Sequence, residues 1–156
     1  MFEKILVCLD GSEIAEQILP YATEESLRFH SQVVLLHVVP EPVIVTPGIP
    51  GAAGAPVETP GMLEQMQKEQ KEASIYLEGV AIRLLEKGLT VEPAIMQGAA
   101  GEAIVNYANE NDIGLIAIAT HGRSSLGRAV FGSVADYVLR NSGLPILVIR
   151  PQEAEG

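Results

Sequence analysis

The stretch KILVCLDGS, residues 4–12, decides the fold. From Lys4 to Leu9 it is a short apolar run without alternation, and it stops at Asp10-Gly11-Ser12. A strand with one solvated face alternates apolar and polar residues, whereas a strand covered on both faces does not. Residues 4–9 therefore read as a buried parallel strand. Ser12 follows as a helix N-cap, and Glu13 and Glu16 stand where the positive end of the helix dipole favours acids. Ala15, Ile18, Leu19, Ala22 and Phe29 then recur at helical spacing. Pro20 falls inside that pattern, lacks a backbone donor, and predicts a kink.

The same alternation continues along the chain. QVVLLHVV at 32–39 is a second buried strand. Residues 40–61 are crowded with Pro, Gly and Ala, which excludes a regular helix or a central strand and points to a long mobile insertion. Leu63, Met66, Ala73, Leu77, Val80, Ala81 and Leu84 mark one face of a long helix, and Gly88 ends it. LTVEPAIM at 89–96 is a third strand, which Pro93 assigns to a sheet edge. Gly98 and Gly101 flank the turn into a helix at 101–110. Ile113 to Ala119 is a fourth strand. Ser133 caps a helix at 133–142, with Asp136 in a capping-box position. Gly143 stops it, and PILVI at 145–149 is the fifth strand.

Alternating strands and helices predict a single-domain α/β fold with a parallel sheet, helices on both faces and right-handed crossovers. Strands 1 and 4 are the most uniformly apolar, so the five-stranded order is 3-2-1-4-5. That order reverses direction between strands 1 and 4, and ligands of such sheets bind outside the strands' carboxyl ends at this switch point. The two loops meeting there begin at Asp10 and Ala119.

Composition removes several functions. The chain has 156 residues, 47% of them apolar, enough for one domain with a real core. Its formal net charge of −10 speaks against nucleic acid and anionic lipid as partners. Cys8 is the single cysteine, so no intramolecular disulfide or multi-cysteine metal site can form. No run reaches the ~18–20 apolar residues needed to span a membrane. Glu3 and Asp10 lie where a secretory leader would be uniformly apolar, so the expected location is the cytoplasm.

The sequence ATHGRSSLGRAVFGS, 119–133, leaves strand 4 and enters the last helix. Gly122, Gly127 and Gly132 allow close backbone approach, and Gly132-Ser133 opens a helix whose free amides attract an anion. Ser124, Ser125 and Ser133 add hydroxyl donors, and Arg123 and Arg128 add positive charge. The expected ligand group is a phosphate. Gly122 to Gly127 has P-loop spacing, but Arg128-Ala129 stands where Lys-Ser/Thr is required. The dinucleotide fingerprint is absent after strand 1. No catalytic constellation appears, and His30, His37 and His121 lack metal-ligand spacing. Binding with slow or no turnover is the expectation.

Taken together, ILVCLDGSE, LLHVV and ATHGRSSLGRAVFGSVADYVLRNSGLPILVIR resemble the universal stress protein family over nearly the whole chain, as a domain at 1–150 with a tail at 151–156. The resemblance implies the fold above (adenine nucleotide alpha hydrolase-like). ATP-binding members carry Gly-x2-Gly-x9-Gly-Ser/Thr; Gly122, Gly132 and Ser133 match, and Ala119 replaces the first glycine. By resemblance, Asp10 accepts from the ribose, Cys8 and Leu9 flank sugar and base, and Val38 offers backbone groups to adenine. Ala119, Gly122, Arg123, Gly132, Ser133, Val134 and Ala135 hold phosphates. The implied ligand is ATP, ADP or AMP, with magnesium as an optional companion and a regulatory role. Pairing of residues 145–149 with a second copy gives the implied homodimer. The alternatives are a non-nucleotide-binding protein acting through its dimer surface, and a slow ATPase.

Overall fold

The computed structural model describes residues 1–42, 60–120 and 132–152. Five strands, β1 (Lys4–Leu9), β2 (Gln32–Val39), β3 (Thr90–Gln97), β4 (Leu115–Ala119) and β5 (Ile146–Ile149), form one sheet in the order β3-β2-β1-β4-β5. All four pairings are parallel. The helices are α1 (Glu13–Glu16), α2 (Leu19–Phe29), α3 (Met62–Leu85), α4 (Ala100–Glu110) and α5 (Ser133–Asn141).

Two cores flank the sheet. Ile5, Val7, Val33 and Leu35 pack with α1, α2 and α3 on one face. Leu6, Cys8, Val34, Leu36, Ile116 and Ile118 pack with α4 and α5 on the other. β1 and β2 feed both cores because successive side chains point to opposite faces, which is why their sequences do not alternate. Ile5, Leu6, Leu35 and Ile116 are fully buried, each contributing about 1.5–3 kcal/mol of burial. Pro93 sits on the edge strand β3, which pairs with β2 alone.

Several local expectations change. Pro20 does not kink one helix: it separates two, and stands in the first turn of α2. Without an N–H, Pro20 cannot continue the α1 ladder, but its fixed φ suits a helix start. The cap of the last helix falls one residue earlier than expected. Gly132 is the N-cap (φ −51°, ψ 147°), Ser133 is the first helical residue, and no side chain caps the end. Asp136 therefore makes no capping box; its amide donates to the Gly132 carbonyl at 2.9 Å and its carboxylate accepts from Arg140. α4 begins at Ala100, one residue before the expected start, so Gly101 is its second residue; a side chain at Gly101 would strike Tyr137 of α5.

Leu63 is exposed and Met66 half-buried, so the apolar face of α3 is seated only from Ala73 onward. The 24-residue helix is about 36 Å long, against about 26 Å for the eight-residue β2 and β3. Its first turns overrun the sheet at the carboxyl edge. Strand boundaries differ from expectation by one or two residues: β3 is 90–97, β4 begins at Leu115, and β5 at Ile146. Most of the insertion expected at 40–61 lies outside the described residues.

Candidate functional site

β1 ends in a tight turn. Gly11 has φ +87°, a left-handed conformation that glycine adopts without strain. Asp10 Oδ1 accepts from the Ser12 amide at 2.9 Å and from Ser12 Oγ at 2.6 Å. Ser12 Oγ in turn accepts from the Ala15 amide at 3.1 Å, capping α1. The chain thus spends its serine on α1 and fixes the exposed Asp10 carboxylate at the carboxyl edge of the sheet.

The helices on the opposite side of this edge are left open. α4 starts at N-cap Ala99 and α5 at N-cap Gly132, and neither has a side-chain cap. The first amides of a helix have no intrahelical partner and carry partial positive charge. Both helices pack on the same face of the sheet, brought close by Gly101 against the Tyr137 ring.

Between the strand ends and these helix starts lies a cleft of about 630 Å³, its open mouth included. Cys8, Leu9, Asp10, Val38, Ala119, Gly132, Ser133, Val134 and Ala135 all line it. The structure therefore brings together every described residue expected at the site. Leu9 lines the cleft at the strand end while its side chain packs into the core on the α1–α3 face. Gly122 and Arg123, with His121, Ser124, Ser125, Gly127 and Arg128, lie outside the described residues.

Six lining residues were missed: Ala15, Leu36, Ala100, Ile104, Ile118 and Thr120. Leu36 and Ile118 share the face of Cys8 and Val38, so strand parity could have supplied them. Ala100 and Ile104 come from α4, whose approach is signalled by the small residues Gly98-Ala99-Ala100-Gly101. Thr120 is buried beside the end of β5, its amide donating to the Ile149 carbonyl at 2.9 Å.

The wall of the cleft is apolar and Asp10 is its one carboxylate among the described residues. Burial pushes the Cys8 thiol up to about 12, so it is a neutral packing group. Ala119 closes β4 in register with Ile149 and is not among the positive-φ residues. An alanine therefore carries no left-handed strain there, and its methyl is the sole addition over glycine. Among the described residues no group of three His, Cys, Asp or Glu could hold a metal ion, and no helix is long and apolar enough to cross a membrane.

This geometry agrees with relationships visible across the whole chain. The family described as "Universal stress protein family" matches residues 1–150. Universal stress protein YxiE of Bacillus subtilis is 30% identical over 151 residues, covering 96% of this chain and 100% of the relative. The solved structure of MJ0577 superposes with a TM-score of 0.78 at 26% identity, covering 99% of both chains; MJ0577 is a universal stress protein of Methanocaldococcus jannaschii. A universal stress protein from Archaeoglobus fulgidus, solved in complex with dAMP, has the same fold (TM-score 0.66, 20% identity, 96% of this chain and 98% of that one). A family match over residues 1–150, on the sheet order and cleft just described, means that the chain belongs to the universal stress protein family.

Proposed function

We propose that this protein binds an adenine nucleotide, ATP or its products ADP and AMP, in the cleft between β1, β4 and the start of α5, and that its role is regulatory. One observation carries the reading: Asp10 is fixed at the end of β1 across a cleft from the uncapped start of α5. A carboxylate acceptor opposite open helix amides suits a ligand with sugar hydroxyls at one end and phosphate at the other. In this reading Asp10 accepts from the ribose. Cys8, Leu36, Ile104 and Ile118 flank the base near the Val38 backbone. The amides of Ser133, Val134 and Ala135, with the Ser133 hydroxyl, meet phosphate. Gly122 and Arg123 join them on the sequence motif alone. The dAMP complex of the Archaeoglobus fulgidus protein supports an adenine nucleotide as the ligand class.

Magnesium would enter with the phosphates, since no described carboxylate cluster would hold it independently. The regulatory reading is supported by the lining: hydrolysis needs a positioned water and a group to activate it, and among the described residues the one carboxylate of the cleft, Asp10, already accepts from Ser12 through Oδ1. The partner of the same reading is a second copy. β5 pairs with β4 alone and leaves one half-exposed aliphatic edge, which an antiparallel copy would complete. The expected location is the cytoplasm, where adenine nucleotides are abundant.

The test is direct. Protein purified from cells and then denatured releases ATP, ADP or AMP, and incubation with ATP and magnesium yields no more ADP than a buffer control. Absence of released nucleotide together with no measurable ATP binding refutes the reading. Sedimentation as a monomer at micromolar concentration refutes the dimer.

A further inference from the structure

The chain beyond β5 is tied to the turn that carries Asp10. Gln17, the C-cap of α1, donates from Nε2 to the Gln152 carbonyl at 2.9 Å, and its Oε1 accepts from the Gln152 amide at 2.9 Å. One side-chain amide thus pairs both backbone groups of a residue 135 positions away. Pro151, beside this latch, is buried, while Gln17 is half-buried. The latch uses only the backbone of Gln152, an exposed residue.

α1 depends on such ties. It is a single turn, Glu13–Glu16, and a helix so short has no stability of its own. Its inner side is seated by the buried Ala15 and Ile18. Beyond that core, Glu16 is ion-paired with Arg83 of α3, an exposed kind of pair that contributes little, and Gln17 holds Gln152. The turn is also continuous with the cleft. Ser12 Oγ donates to Asp10 Oδ1 and accepts from the Ala15 amide. The Ser12 carbonyl accepts from the Glu16 amide at 3.3 Å, and the Ile14 carbonyl accepts from the Gln17 amide at 3.2 Å. Asp10, Ser12, α1 and Gln17 are therefore one hydrogen-bonded unit, clamped at its far end by the latch.

Resting on the nucleotide reading above, we propose that Gln17 is a positioning residue for the nucleotide site: by holding α1 to the chain at Gln152, it fixes the turn that presents Asp10 to the ribose. Both latch bonds are exposed, so their loss leaves the fold intact and changes only how often the turn is in place. Apparent affinity falls by that fraction; a turn in place about one-third of the time weakens binding about threefold.

The experiment measures the affinities of the full chain for ATP and for 2′,3′-dideoxy-ATP by calorimetry. The second ligand lacks the hydroxyls from which Asp10 accepts, so it does not report on the Asp10 contact. Gln17→Ala removes the latch, and Gln152→Pro removes the amide that donates to Gln17 Oε1. Each should weaken ATP about threefold and leave dideoxy-ATP unchanged. Gln152→Ala keeps the backbone groups and should bind both ligands as the wild type does. Unchanged ATP affinity in Gln17→Ala overturns the proposal. So does an equal loss for both ligands, which would make the latch a general structural tie. Failure of the wild type to bind ATP overturns the nucleotide reading; equal wild-type affinity for the two ligands overturns the ribose contact of Asp10, and this proposal with it.

Discussion

Replacing Gly101 with alanine should destabilise this protein, although helix propensity alone argues the reverse. Gly101 sits in the first turns of α4, where alanine is favoured over glycine by up to about 1 kcal/mol. The added Cβ, however, would lie 2.8, 2.9 and 3.0 Å from Cδ1, Cγ and Cβ of Tyr137. These atoms are the root of the Tyr137 side chain, which cannot swing away as a flexible tip could. Relieving such overlap costs about 1–3 kcal/mol. The net expectation is a loss of about 1 kcal/mol, or roughly 2–4 °C in Tm for a domain of this size. The cause can be isolated with Tyr137→Ala, whose own cost is modest because the residue is 41% exposed. On that background Gly101→Ala should raise Tm by a similar amount, since only the propensity term remains. The assay is thermal unfolding of the four proteins of the cycle, with a coupling of about 2 kcal/mol expected between the two positions. A Tm that rises on Gly101→Ala in the wild-type background would refute the claim that glycine is there to let α4 and α5 meet.

Two further outcomes follow from the same geometry. Cys8 is buried in the cleft wall with its thiol pushed up to about 12, so its reaction with a disulfide reagent at pH 8 should be far slower than that of a free thiol, and slower still with ATP present; rapid stoichiometric labelling would contradict the placement. Pro20→Ala should change stability by less than about 1 kcal/mol, because the first turn of α2 needs no donor there. Ala22→Pro should cost about 3 kcal/mol, because it removes the bond from the Ala22 amide to the Ile18 carbonyl at 3.0 Å; equal effects in chemical denaturation would contradict this reading of the break.

The sheet was legible because its signals are carried by side chains within one segment. The unbroken apolar run of β1 announces burial on two faces, and Pro93 announces an edge. The break at Pro20 was half legible: the missing donor was evident, but whether a helix bends or restarts depends on whether Leu19 and Ala22 can still reach the core, as they do. Ser133 misled because serine is the better cap in isolation. The chain instead places Gly132 there and leaves the α5 amides open. The contribution of α4 to the cleft was hidden because it is set by packing against α5, through Gly101 and Tyr137, which lie 36 residues apart in sequence. The conformation of Ala119 was equally hidden, since its extended backbone follows from pairing with Ile149.

Ala119 departs from the glycine of the ATP-binding motif, yet it stands at a strand end without left-handed strain. Calorimetric titration of the wild type and Ala119→Gly with ATP addresses this directly. The expected result is one ATP per chain with a millimolar or tighter dissociation constant, and affinities of the two proteins within about threefold, a difference below about 0.7 kcal/mol. No binding heat in either protein would contradict the nucleotide site; binding gained only in Ala119→Gly would show that the alanine closes it.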